Sequence, residues 1–128
     1  MKGTAVHSSH LASRVVSRHH AHAVIITVSG DIDFDTVAPL NRAIRAVADR
    51  SKDEPVVLDL SQVQFAGASL INALLYARAE IGPDRLRIAA PPPCVIRLLH
   101  VASLDGFFTT GATVTDLATP TAAAGCPA

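Results

Sequence analysis

The segment Val56-Val57-Leu58-Asp59-Leu60 constrains the fold more than any other stretch of the chain. Such a short, continuous apolar strand needs cover on both faces, which is the situation of an interior strand flanked by crossover helices. Its surroundings fit that reading. Before it, Asp35 precedes Val37, Leu40, Ile44 and Val47, at the 3.6-residue period of an amphipathic helix, with Asn41, Arg42, Arg45 and Asp49 off that face. Asp35 or Thr36 is placed to cap this helix, and Pro39 fits only in its first turn. After it, Phe65 to Ser69 reads as a turn rich in small residues. Leu70, Ile71, Leu74, Leu75 and Arg78 follow at helical spacing, and the helix closes near Gly82-Pro83.

The remaining elements extend the alternation. Leu11 to Ser17 and Ala23 to Ser29 are β-branched runs, and the residues around Arg18, His19 and His20 between them predict a hairpin whose second strand stops at Gly30. Arg85-Leu86-Arg87-Ile88-Ala89 alternates as a strand and is stopped by Pro91 to Pro93; Arg85, Arg87 and Arg97 are expected to face solvent. Val95, Leu98, Leu99 and Ala102 mark a third helix with Pro93 in its first turn. Leu104 to Phe108 carries the turn pair Asp105-Gly106, and Val114 to Ala118 reads as a short terminal helix. The order β-β-α-β-α-β-α predicts one α/β domain over residues 11–118, a mixed sheet of four to five strands with three to four helices packed on it. Residues 1–10 and 119–128 read as flexible ends.

Composition narrows the partners. The 128 residues suit a single core, and 49% hydrophobic against 17% charged residues is the balance of a folded domain. Aromatics are only 4%, so Val, Ile, Leu and Ala must build the core. Eleven basic residues balance eleven acidic ones, and without a basic surplus neither nucleic acid nor an anionic membrane surface is an expected partner. The cysteines, Cys94 and Cys126, do not form a disulfide framework, and the N-terminus has no apolar signal region. A soluble cytoplasmic protein is expected.

Enzyme signatures are missing: there is no GxSxG elbow, phosphate-binding loop, HExxH or CxxC, and no cofactor is expected. Asp31, Asp33 and Asp35 cluster in SGDIDFD, and at strand spacing they share a face, as a small-molecule or cation-binding domain would need. The same residues also read as a solvated turn and helix cap, without the glycine and terminal glutamate of a calcium loop. His19, His20 and His22 lack a ligand pattern and read as a solvated turn, so no metal site is assigned. Cys94 reads as a packing residue.

Ser69 follows Gly67-Ala68 and precedes the apolar helical run, so its hydroxyl is expected at a helix N-terminus. Free backbone N–H groups and the positive end of the helix dipole stabilise a phosphate there. An unmodified serine in that place caps the helix with its own oxygen. The residues alone leave both roles open.

Taken in order, VSGDIDFDTVAPLNRAI, VVLDLSQVQFAGASLINALL and RLRIAAPPPCVIRLLHVASLDGFF resemble the STAS domain of bacterial anti-sigma factor antagonists, over about residues 11–118. The first matches that family's strand-end Gly-Glu/Asp-Ile/Leu-Asp pattern, the second its strand and Asp-Ser-Ser-Gly-Leu loop, the third its strand, helix and Leu-Asp-x-Phe turn. The resemblance implies a STAS-like fold and a non-enzymatic regulator. Such a protein binds an anti-sigma factor that is itself a serine kinase of GHKL type, and so frees a sigma factor. The kinase phosphorylates the second serine of the loop, here Ser69, and a PP2C-type phosphatase reverses it. The implied partner surface is Gly30, Asp31, Ile32 and Asp33 with Gly67, Ala68, Leu70 and Asn72, on a monomer or weak homodimer.

This chain departs from that pattern. Gly67-Ala68-Ser69-Leu70-Ile71 stands where the family has Asp-Ser-Ser-Gly-Leu, so the acid, the first serine and the glycine are replaced. Losing the acid removes repulsion against a phosphate and also a group a kinase reads. Leu70 is expected to add an exposed apolar side chain beside the hydroxyl. A constitutive STAS binding or scaffold module without a phosphoswitch is the alternative reading.

Overall fold

Alternation along one strand explains the layering. In β2 (Ala23–Ile32), Val24, Ile26 and Val28 join one buried cluster and Ala23 and Ile25 another, on opposite faces of the sheet. This is seen in a computed structural model of the chain, which describes residues 13–20, 22–50 and 53–118. The expected flexible ends, 1–10 and 119–128, lie outside the described residues, as do Leu11, Ala12 and Cys126.

The described elements, in chain order, are β1 (Arg14–His20), β2, α1 (Ala38–Arg50), β3 (Val56–Ala66), α2 (Ala68–Ile81), β4 (Leu86–Ala89), α3 (Pro93–Val101), β5 (Thr109–Gly111) and α4 (Val114–Leu117). They form one sheet of order β1-β2-β3-β4-β5, in which β1 is antiparallel to β2 and every other pair is parallel. The mixed α/β sheet predicted from the sequence is thus present, with five strands and four helices among the described residues.

Leu40, Ile44 and Val47 of α1, Leu70 and Leu74 of α2 and Val95 and Leu99 of α3 meet the strands on one face. Leu117 and Ala118, at the end of α4, close over Ile25, Val57 and Ala89 on the other. Val56, Val57 and Leu58 are fully buried, as the doubly apolar strand requires. Each such side chain contributes about 1.5–3 kcal/mol when removed from water.

Several local expectations are corrected. His19 and His20 are strand residues and not a turn: His19 pairs with Val24 and His20 with Ala23. His19 Nε2 lies 3.5 Å from Glu54 Oε1. α1 begins at Ala38, so neither Asp35 nor Thr36 holds its capping position. β5 is the fifth of the four to five strands expected, but its place is not readable from the sequence, because three residues carry too little alternation.

Arg87 does not face solvent. It is 8% exposed, and its guanidinium donates to the Leu117 carbonyl at 2.9 Å, tying α4 to the sheet. Burial pushes its pKa down, and nearby Asp84 offsets part of that shift. Arg85 is also held, donating to the Glu54 carbonyl at 2.9 Å. Arg97 is exposed, as expected.

Candidate partner-binding site

Two loops at one end of the sheet meet because β2 and β3 run further than their hydropathy suggests. β2 passes through Gly30 to Ile32, and β3 passes through Phe65 to Ala66. Gly30 has φ +89°, a conformation that glycine adopts without the Cβ penalty. The β2–β3 ladder shifts register between Thr27 and Ser29 and again between Gly30 and Asp31, which sets Asp31 opposite Phe65 and Ile32 opposite Ala66. Gly67 N then donates to Ile32 O at 2.9 Å.

The Gly30–Asp33 loop is built by hydrogen bonds. The Thr36 hydroxyl donates to Asp31 O at 2.6 Å and accepts from Asp33 N at 2.9 Å. Asp33 Oδ1 accepts from the backbone N–H groups of Asp35 and Thr36 at 2.9 and 3.1 Å, an Asx turn. The Ser13 hydroxyl donates to Thr36 O at 2.6 Å from the outer side. The strand spacing that would align Asp31, Asp33 and Asp35 stops at Ile32, and one Asp33 oxygen is taken up by the turn. Among the described residues no group of three His, Cys, Asp or Glu is arranged to hold a metal ion.

Ser69 is the second residue of α2, not its cap. Gly67 holds the capping position with an extended backbone and supplies no side-chain bond. The Ser69 hydroxyl has no hydrogen-bond partner among the described residues, so the capping reading is replaced. α2 has no acidic residue in its first turn. The Ala68 and Ser69 amides, too early in the helix for an intrahelical acceptor, stand beside a half-buried hydroxyl.

Leu70 corrects an expectation. It is fully buried, because a helix starting at Ala68 turns Leu70, Leu74 and Ala77 against the sheet. The residue that replaces the family's glycine therefore adds to the core and leaves no apolar bulk beside Ser69. The Ile32 side chain is fully buried too, and its contribution to this surface is its carbonyl. Gly30 is buried; Asp31 and Asp33 are half-buried; Ala68 and Asn72 are exposed. Of the expected partner-binding side chains, those of Asp31, Asp33, Ala68 and Asn72 are reachable, with Gly67 joining the two loops.

Sequence reasoning passed over Phe34, 86% exposed just after the first loop, and Phe65, 54% exposed opposite Asp31. Phe34 lies outside every periodic segment of the sequence, and an aromatic so placed is the available signal. Exposed aromatics beside a polar loop are the composition of interface anchors.

A five-stranded mixed sheet with a polar strand-end loop bonded to a serine-bearing helix start defines the class: the chain belongs to the STAS domain family. Residues 15–114 match the family described as "Mlab, STAS domain". Anti-sigma-F factor antagonist RsfB of Mycobacterium tuberculosis is 30% identical over 103 residues, covering 78% of this chain and 82% of that protein. The crystal structure of an anti-sigma factor antagonist from Mycobacterium paratuberculosis superposes with a TM-score of 0.73 at 29% identity, covering 83% of this chain and 91% of that one. The anti-sigma factor antagonist SpoIIAA in its unphosphorylated form shares the fold, with a TM-score of 0.68 at 14% identity over 90% of this chain and 100% of that one. No helix among the described residues is long and apolar enough to cross a membrane.

Proposed function

We propose that this chain is an anti-sigma factor antagonist: it binds an anti-sigma factor, releases a sigma factor, and is switched by phosphorylation of Ser69. It acts as a binding protein in the cytoplasm and not as an enzyme. The observation that carries the reading is the Ser69 hydroxyl, without a hydrogen-bond partner among the described residues, in the acid-free first turn of α2. The names of the mycobacterial relatives supply the class of partner.

The chemistry follows from charge. A phosphate adds roughly −1.5 to −2 charges and three acceptor oxygens. On a chain of zero net charge that is a large local change, at the end of the sheet where Phe34 and Phe65 are also exposed for a partner to cover. The same phosphate is favoured within the free protein by the first-turn amides of α2. Modification therefore stabilises the free state and penalises an apolar contact. The kinase is the anti-sigma factor itself, of GHKL type, and a PP2C-type phosphatase resets the switch.

Incubation with the anti-sigma factor of the same organism and ATP, followed by mass spectrometry, is expected to place one phosphate on Ser69. Ser69→Ala should take none, and Ser69→Asp should bind at least about tenfold more weakly. Labelling of Ser69→Ala at the wild-type level removes the switch, and wild-type affinity in Ser69→Asp leaves a constitutive module.

A further inference from the structure

A groove of about 770 Å³ runs between α1 and α2. Its α2 side carries Asn72 and Tyr76, three and seven residues beyond Ser69 and so on the same helix face as the phosphoacceptor position. Along α1 it extends from Asn41 to Asp49, about 12 Å or two helical turns at 1.5 Å per residue. Ala46, Ala73 and the Tyr76 ring give it apolar walls.

Two observations specify what fits. Arg42 and Arg45 are exposed at the rim and outnumber its one carboxylate, Asp49, and neither is in an ion pair among the described residues. Asn41 Oδ1 is buried in the α1 side and has no hydrogen-bond partner there. A buried acceptor left without a donor is unfavourable, and a bound N–H group relieves that.

We infer that this groove receives an acidic, amphipathic helix of the partner protein, whose carboxylates meet Arg42 and Arg45 and whose apolar side chains pack on Ala46, Ala73 and Tyr76. Because Asn41 Oδ1 is closed off in this structure, the Asn41 side chain turns outward to take an amide donor from that helix. The inference rests on the function proposed above, because the partner is the anti-sigma factor. It places the contact beyond the two loops, on the flank of α2 that continues from Ser69. Two turns of groove match two turns of an inserted helix, and charge complementarity sets the sign of its rim.

The test measures affinity for the anti-sigma factor of the same organism by titration calorimetry, with circular dichroism confirming that each variant is folded. The pair Arg42→Glu with Arg45→Glu is expected to weaken binding at least about tenfold, and Arg42→Lys with Arg45→Lys to retain most of it. Ala46→Trp fills the groove without changing charge and should also weaken binding about tenfold or more. Arg50→Glu, on the same helix outside the groove, should change it less than about twofold. Wild-type affinity in both the charge-reversed pair and Ala46→Trp overturns the groove inference and leaves the proposed function standing. Absence of binding by the wild-type chain overturns the proposed function and the inference with it. A wild-type dimer that Ala46→Trp dissociates reassigns the groove to a second copy of the chain.

Discussion

Gly67 donates its backbone N–H to the carbonyl of Ile32 at 2.9 Å, and this bond joins the loop that ends β2 to the helix that carries Ser69. Because Ile32 is locked into the core by its side chain, the carbonyl is a fixed anchor. The residue that begins α2 is therefore positioned by the sheet and not by a cap of its own. Variants that disturb the loop should act on both halves of the surface together.

Leu70 and Ser69 are neighbours with opposite expected consequences. Leu70→Ala removes a fully buried side chain and should cost about 2–5 kcal/mol of unfolding free energy. Ser69→Ala removes a hydroxyl that bonds to nothing among the described residues and should stay within about 0.5 kcal/mol of wild type. Denaturant unfolding of both variants checks this. A loss of about 1 kcal/mol or more in Ser69→Ala would show that the hydroxyl caps α2 after all.

Gly67→Asp restores the acidic residue of the family loop and should be tolerated. A Cβ there meets only Ile32 O, at 3.9 Å, and the backbone is already extended as an N-cap requires. The carboxylate can accept first-turn N–H groups, giving a gain of roughly 0.2–0.5 kcal/mol at neutral pH. Those bonds hold the new carboxyl's folded pKa below its unfolded value. The gain is present above the unfolded pKa and is lost as pH falls through the folded one, which thermal melts across acid pH would resolve.

Thr36→Val deletes a hydroxyl that holds Asp31 O and Asp33 N at once, and keeps the side-chain shape. The expected cost is about 1–3 kcal/mol, because both partly buried backbone groups lose their bond. Amide exchange should accelerate from Asp31 to Thr36 and also at Gly67, through the Ile32 bond. Faster exchange in the first loop with Gly67 unchanged would separate the two loops.

Arg87→Met retains much of the buried stem but leaves the Leu117 carbonyl without its donor, for an expected loss of about 1–3 kcal/mol. α4 should loosen first, seen as faster exchange at Leu117. The Arg87 pKa is lowered on folding, so the native state binds fewer protons than the unfolded one near that pKa and stability rises with pH there. A guanidinium titrates so far above neutrality that Arg87 contributes no slope between about pH 4 and 9. A difference between the stability–pH profiles of wild type and Arg87→Met inside that range would contradict this role.

Much of this molecule is legible in the chain itself. Helices α1, α2 and α3 follow from apolar spacing, and Val56 to Leu60 declares an interior strand, because periodicity and strand burial are written in neighbouring residues. Ser69 stands out for the same reason, as a serine between a strand and an apolar helix. Phe34 and Phe65 were missed because exposure of a single aromatic leaves no period to read.

Local residue pattern is enough to give the order of every described element but β5, the α/β class and the serine at the start of α2. Tertiary structure alone decided which way the neighbouring residues face. Leu70 goes inward because α2 starts at Ala68 and packs on the sheet, Ile32 goes inward because β2 continues past Gly30, and Arg87 is buried because α4 folds over the far face. Each depends on contact with an element distant in sequence, and local spacing carries no information about which element that will be.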